Sequence, residues 1–164
     1  YSSLISLPNK LGSITSSTTF NINSLISLPN DLDNLTSLTT FNISKSTSLI
    51  SLSNDLSNII LLTILKIFRF SSLKSLPNKF IHLTSLTIFD ISRCYSLILL
   101  LDELDNLTSL TTLDMRQCFS LTLLRNELSN LTSLTTFDIS WCSSLKSLRN
   151  DLGNLTFKLD IIFK

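Results

Sequence analysis

Leucine, isoleucine and phenylalanine return along this chain at fixed intervals, separated mostly by serine, threonine and asparagine. In "LTTFDIS", residues 134–140, apolar and polar positions alternate with period two, the sign of a strand with one buried face. The string recurs. Units of 24 residues begin at Leu35, Ile59, Leu83, Leu107 and Leu131, and 131–154 repeats 107–130 almost position for position. An earlier unit, 14–34, is three residues shorter, 1–13 is a partial unit, and 155–164 starts in phase and then loses the pattern.

Aligning the units turns sequence columns into rows. One row reads Phe20, Phe41, Leu65, Phe89, Leu113, Phe137, and the next Ile22, Ile43, Ile67, Ile91, Met115, Ile139. A third is leucine throughout: Leu25, Leu49, Leu73, Leu97, Leu121, Leu145. One strand per unit, in register with its neighbours, predicts a parallel sheet whose fixed apolar residues form the interior, with the varying positions facing outward. Downstream of each strand, "SLPNDLDNL" places Asn30 as a helix N-cap and Asp31 in the first turn, where an acid suits the positive end of the backbone dipole. The arrangement recurs at Asn54–Asp55, Asn126–Glu127 and Asn150–Asp151, while Lys10 and Lys79 break the charge preference. A short helical or 3-10 turn is predicted there.

These columns resemble the leucine-rich repeat, in the form LxxLxxLxIxxCxxLxxLPxxLxxL, over residues 1 to about 154. The resemblance implies a single α/β domain over 1–164: a curved solenoid with parallel strands on the concave face and short helical or 3-10 segments on the convex one. Its repeats are 14–34, 35–58, 59–82, 83–106, 107–130 and 131–154. Cysteine after the strand, together with "SLPNKL" and "SLPNDL", resembles the repeats of plant intracellular disease-resistance proteins with a nucleotide-binding module. That likeness implies a cytoplasmic, non-enzymatic module of plant defence signalling. It would recognise a partner protein or contact the other domains of a larger receptor. Ras-group leucine-rich repeat scaffolds are a second resemblance, and a degenerate repeat fragment a third reading. The corner proline is replaced in four units, by Ser53, Leu101, Arg125 and Arg149.

Composition narrows the field of function. Charged residues make up 15% of the chain and net charge is +1, so no field for nucleic acid is present. No apolar run reaches the roughly 20 residues of a membrane-spanning helix. Gly12 and Gly153 are isolated, which removes any glycine-rich phosphate cradle, and no cofactor is expected. The first residues, "YSSLISLPNK", begin inside a repeat without a signal peptide, as a fragment of a longer protein would. A signal peptide lying outside this fragment would make the location extracellular instead.

Candidate chemistry is sparse. Cys94, Cys118 and Cys142 lie one unit apart, in a column shared with Ser46 and Phe70. Parallel side chains in one row do not converge on a metal or pair as disulfides, so buried thiols filling a corner are expected. Acceptor tripeptides for glycosylation occur at Asn34, Asn42, Asn106, Asn130 and Asn154, four of them by-products of the repeat boundary. His82 replaces that boundary asparagine. Asn42, Asp90, Asp114 and Asp138 form an open acidic row without a nucleophile, so no enzyme is read from it. In the last unit, Thr136, Asp138, Ser140 and Trp141 are predicted to face solvent. The outermost row, Lys45, Arg69, Arg93, Gln117 and Trp141, with Lys66, Phe68 and Arg116 beside it, gathers basic and aromatic residues on an otherwise neutral sheet. That is the composition of a protein-binding hot spot on the concave face.

Overall fold

A computed structural model of the chain describes residues 17–25, 32, 35–50, 52, 56, 59–76, 80–100, 104, 106–124, 128, 130–145 and 160–162. The partial unit 1–13, the capping residues Asn30–Asp31 and their equivalents, the proline corners and the acceptor sites Asn34 and Asn154 lie outside these residues. Among the described residues, nine strands run in chain order: β1 (Thr19–Asn23), β2 (Thr40–Ser44), β3 (Ile64–Phe68), β4 (Ile88–Asp90), β5 (Leu99–Leu100), β6 (Thr112–Asp114), β7 (Leu123–Leu124), β8 (Thr136–Asp138) and β9 (Asp160–Ile162). Seven of them form one sheet in the order β1-β2-β3-β4-β6-β8-β9, every pair parallel. The pair β5-β7 forms a second, small sheet further along each coil.

Register follows the repeat arithmetic. Thr40 pairs with Ile64, Ile64 with Ile88, Ile88 with Thr112 and Thr112 with Thr136, each one unit on. Thr19 pairs with Thr40 across the short unit, so its missing residues are absorbed outside the sheet. At the far end Thr136 pairs with Asp160 and Asp138 with Ile162. The segment 155–164, expected to have lost the pattern, therefore keeps strand register at 160–162. Backbone pairing needs the spacing and an extended chain, and both survive there although several leucines do not.

The apolar rows fill the interior. Phe41, Leu65, Phe89, Leu113 and Phe137 are completely buried, as are Ile43, Ile67, Ile91 and Met115. Alternation of phenylalanine with leucine along the first of these rows lets successive coils interdigitate. Phe80 meets Phe89 edge-on at 5.7 Å. On the side away from the sheet, the chain returns through tight i→i−3 bonds: the amides of Leu35, Ile59, Leu83, Leu107 and Leu131 donate to the carbonyls of Leu32, Leu56, Phe80, Leu104 and Leu128. Phe80–His82 is a 3-10 helix, in keeping with the short helical turn predicted there.

A threonine spine ties the coils at the entrance of the strands. The hydroxyls of Thr39, Thr63, Thr87, Thr111 and Thr135 donate to the carbonyls of Thr18, Thr39, Thr63, Thr87 and Thr111, at 3.0 to 3.1 Å. The same carbonyls also accept the amides of these threonines. The column is threonine in every one of these coils, and the inter-coil bonds of its hydroxyl account for that constancy.

Candidate recognition surface

The strands carry their outward side chains in columns. Along the middle of the sheet, Asn42, Lys66, Asp90, Asp114 and Asp138 pair in register from strand to strand. The carboxylates serve the turn that ends each strand. Asp90 accepts the Ser92 amide at 2.9 Å, Asp138 accepts the Ser140 amide at 2.9 Å and its hydroxyl at 2.6 Å, and Asp114 accepts the Arg116 amide at 3.1 Å. Asp114 also pairs with the Arg116 guanidinium at 2.7 Å. Partial burial, with a smaller contribution from Asp90 and Asp138 on either side, pushes the Asp114 carboxyl above its ordinary range; the Arg116 amide bond pulls the other way. In one of the coils without a carboxylate, Asn42 leaves its Oδ1 buried with no hydrogen-bond partner among the described residues.

Ser140 was expected to face solvent, but Ser44, Ser92 and Ser140 are all buried. Their short side chains and amides fold back against the strand end, as the bonds to Asp90 and Asp138 show for Ser92 and Ser140. Phe68 and Arg116 occupy the same column with larger side chains and emerge from it, half-buried and exposed.

Cysteine and aspartate work as a pair four residues apart, a coupling the repeat displays but periodicity does not explain. Where Asp90, Asp114 and Asp138 each take the amide two residues on, Cys94, Cys118 and Cys142 donate their thiols to Ile67, Ile91 and Met115 of the preceding coil at 3.1 to 3.2 Å. There the strand pairing stops at the aspartate, as in Lys66 with Asp90. Where Asn42 and Lys66 stand instead, pairing runs on through Ser44 and Phe68, and the fourth residue on is Ser46 or Phe70. Backbone bonds between coils nevertheless continue past the aspartate, from the Ile91 and Arg93 amides to the Asp114 and Arg116 carbonyls, and the side-chain bonds add to them. Cys94 and Cys118 are fully buried free thiols, whereas Cys142, expected to be buried, is half-exposed. Burial pushes the Cys94 thiol up to about 12, and Cys118 and Cys142 upward for the same cause. The ladder is in a neutral, weakly nucleophilic form at physiological pH.

Immediately after these bonds comes the row predicted to recognise a partner. Lys45, Arg69, Arg93, Gln117 and Trp141, preceded by Ser24, all have left-handed backbone, with φ between 58° and 65°. They lie in the turn that closes each strand and not on the sheet itself, as sequence spacing had placed them. Each of the first five amides donates to the next coil, Lys45 to Phe68, Arg69 to Ser92 and Arg93 to Arg116 among them. Left-handed backbone costs an L-residue with a Cβ roughly 1–2 kcal/mol, and only glycine, asparagine and aspartate adopt it readily. None of those three occupies the row. Lys45, Arg69 and Trp141 are exposed, Trp141 by 55%, and Arg93 and Gln117 are half-buried.

Lys66 stands apart, half-buried on β3 between Asn42 and Asp90, and Arg116 is tied to Asp114. Two residues beyond the left-handed row, Tyr95 and Phe119 stack face to face at 5.3 Å with an interplanar angle of 8°, and both are exposed. They were missed as site residues. The signal was present, since the same column otherwise holds Thr47, Ser71 and Ser143.

No protein-family model and no curated protein matches the sequence. Solved structures do. The leucine-rich repeat domain of the type III effector XopL aligns over 98% of this chain and 65% of its own, at 20% identity and a TM-score of 0.73. A complex of TLR13 with ssRNA13 aligns over 98% and 28%, at 19% and 0.71, and internalin inlF of Listeria monocytogenes over 97% and 51%, at 23% and 0.60. The chain therefore spans less than two thirds of each of these proteins. Parallel strands at one per 24 residues, a leucine interior and this structural likeness establish the fold as the leucine-rich repeat solenoid.

Proposed function

We propose that this chain is a non-enzymatic protein-recognition module whose contact residues project from the strand ends. The observation that carries the reading is the left-handed row: five turns hold Lys45, Arg69, Arg93, Gln117 and Trp141 where glycine or asparagine would be more stable. Backbone strain kept at large, outward side chains is accounted for by what those side chains touch. The acids of the sheet, by contrast, are engaged in turn formation and salt bridging.

At finer grain, the module is the ligand-sensing repeat region of a plant-type intracellular immune receptor, working in the cytoplasm. Support comes from the cysteine after the strand and the "SLPN" corner, and from a thiol ladder that is built from free cysteines. The reading frame upstream tests the assignment: a nucleotide-binding module there upholds it, and a secretory leader refutes it.

Recognition itself is tested by selecting binders from a random peptide library on the intact chain, then replacing Arg69 and Trp141 together with alanine. Both side chains are exposed, so the fold should persist by circular dichroism while binding weakens by roughly tenfold or more. Unchanged affinity in the double variant would rule the placement out.

A further inference from the structure

The turns that close the strands carry basic side chains in the earlier coils, exposed Lys45 and Arg69 and half-buried Arg93, and exposed aromatic ones in the later coils, Tyr95, Phe119 and Trp141, with Arg93 and Tyr95 sharing one coil. Among the described residues, the cation in an ion pair is Arg116, with Asp114, so the three basic residues of the row have no carboxylate partner there. The stacked pair Tyr95–Phe119 and Trp141 are each partly open to solvent. The strip is therefore basic at one end and aromatic at the other.

We propose that this rim, rather than the floor of the sheet, is the docking strip, and that its occupant is an extended, acidic-then-aromatic segment of a partner protein. The inference rests on the recognition reading above and names its ligand chemistry. Carboxylates of the segment sit over Lys45, Arg69 and Arg93, and a large apolar side chain packs against Tyr95–Phe119 and Trp141. Lys45 and Trp141 are four coils apart, which at about 4.8 Å per parallel strand is roughly 19 Å. An extended chain rising about 3.3 Å per residue covers that distance with about six residues. The segment crosses the strand ends one coil after another, so its sequence polarity is read by the order of the coils.

The test uses three fluorescent probes and the full chain: a decapeptide with three carboxylates followed by two phenylalanines, the same peptide with lysine for each acid, and a ten-nucleotide single-stranded RNA. Anisotropy should show the acidic peptide binding roughly tenfold or more tightly than the lysine peptide, with affinity falling as salt rises. Arg69→Glu with Arg93→Glu should weaken it by about tenfold, whereas Lys66→Glu, a charge reversal on the floor strand β3, should weaken it by less than about threefold. Arg69→Gly with Arg93→Gly should also lose binding, yet melt no lower than the parent, because glycine relieves the left-handed backbone. Equal binding of the two peptides, tighter binding of the RNA, or a floor variant as damaging as the rim variant would each overturn the proposal. If library selection still yields binders sensitive to Arg69 and Trp141 when the acidic probe fails, the recognition reading stands and only the ligand chemistry falls.

Discussion

At the scale of single residues, the left-handed row decides most. Relief of roughly 1–2 kcal/mol by glycine is offset by the 0.5–1 kcal/mol that glycine costs in unfolded-chain freedom, whereas asparagine tolerates the conformation without that cost. Arg69→Asn should therefore stabilise the chain by about 0.5–1 kcal/mol, read as a higher urea midpoint at unchanged slope. A lower midpoint would mean that the arginine makes a contact on which the fold depends.

The thiols act at the same scale. Cys118→Ala removes the donor to the Ile91 carbonyl and should cost about 1–3 kcal/mol, with Cys118→Ser recovering part of the loss. Because the folded Cys94 pKa is raised from 9.0 to about 12, its contribution to stability is complete below pH 9.0 and is lost as pH climbs to about 12. Melting temperatures across that window should fall less steeply in a Cys94→Ser variant. An identical slope would mean that the ladder does not titrate between those limits.

At the scale of elements, strand and spine share the work. Thr111→Val keeps the shape and the amide bond to the Thr87 carbonyl but removes the hydroxyl bond, and should cost about 0.5–1.5 kcal/mol by chemical denaturation. The positions and register of β1 to β4, β6 and β8 and their buried rows were legible from period and alternation, because one buried face per strand forces the pattern into the sequence; β9 and the β5-β7 pair, which lack that alternation, were not. The site was legible in part. Column variation singled out the row from Lys45 to Trp141, but period two counts residues and is blind to φ, so the row was placed on the sheet when it belongs to the turn. Ser140 was misplaced for the same reason: a serine reads as solvent-facing unless its partner, here Asp138, is known.

At the scale of the whole molecule, each coil is stabilised by the two beside it, so damage should depend on position along the stack. Phe89 is fully buried in the middle of the solenoid, and Phe20, in the first described strand, is half-buried and stacked on Phe41 at one side. Phe89→Ala should cost about 3–5 kcal/mol and Phe20→Ala distinctly less, measured by urea unfolding. Equal losses would argue against nearest-neighbour stacking as the source of stability.

The sequence by itself determined the coil, its 24-residue period and its dry interior, because apolar side chains must leave water and a repeating chain can bury them only against copies of itself. Only the tertiary structure decided which outward residues act together. Neighbouring coils set strand pairing, hand each thiol a carbonyl and impose left-handed backbone on one column, and these relations join residues one full coil apart.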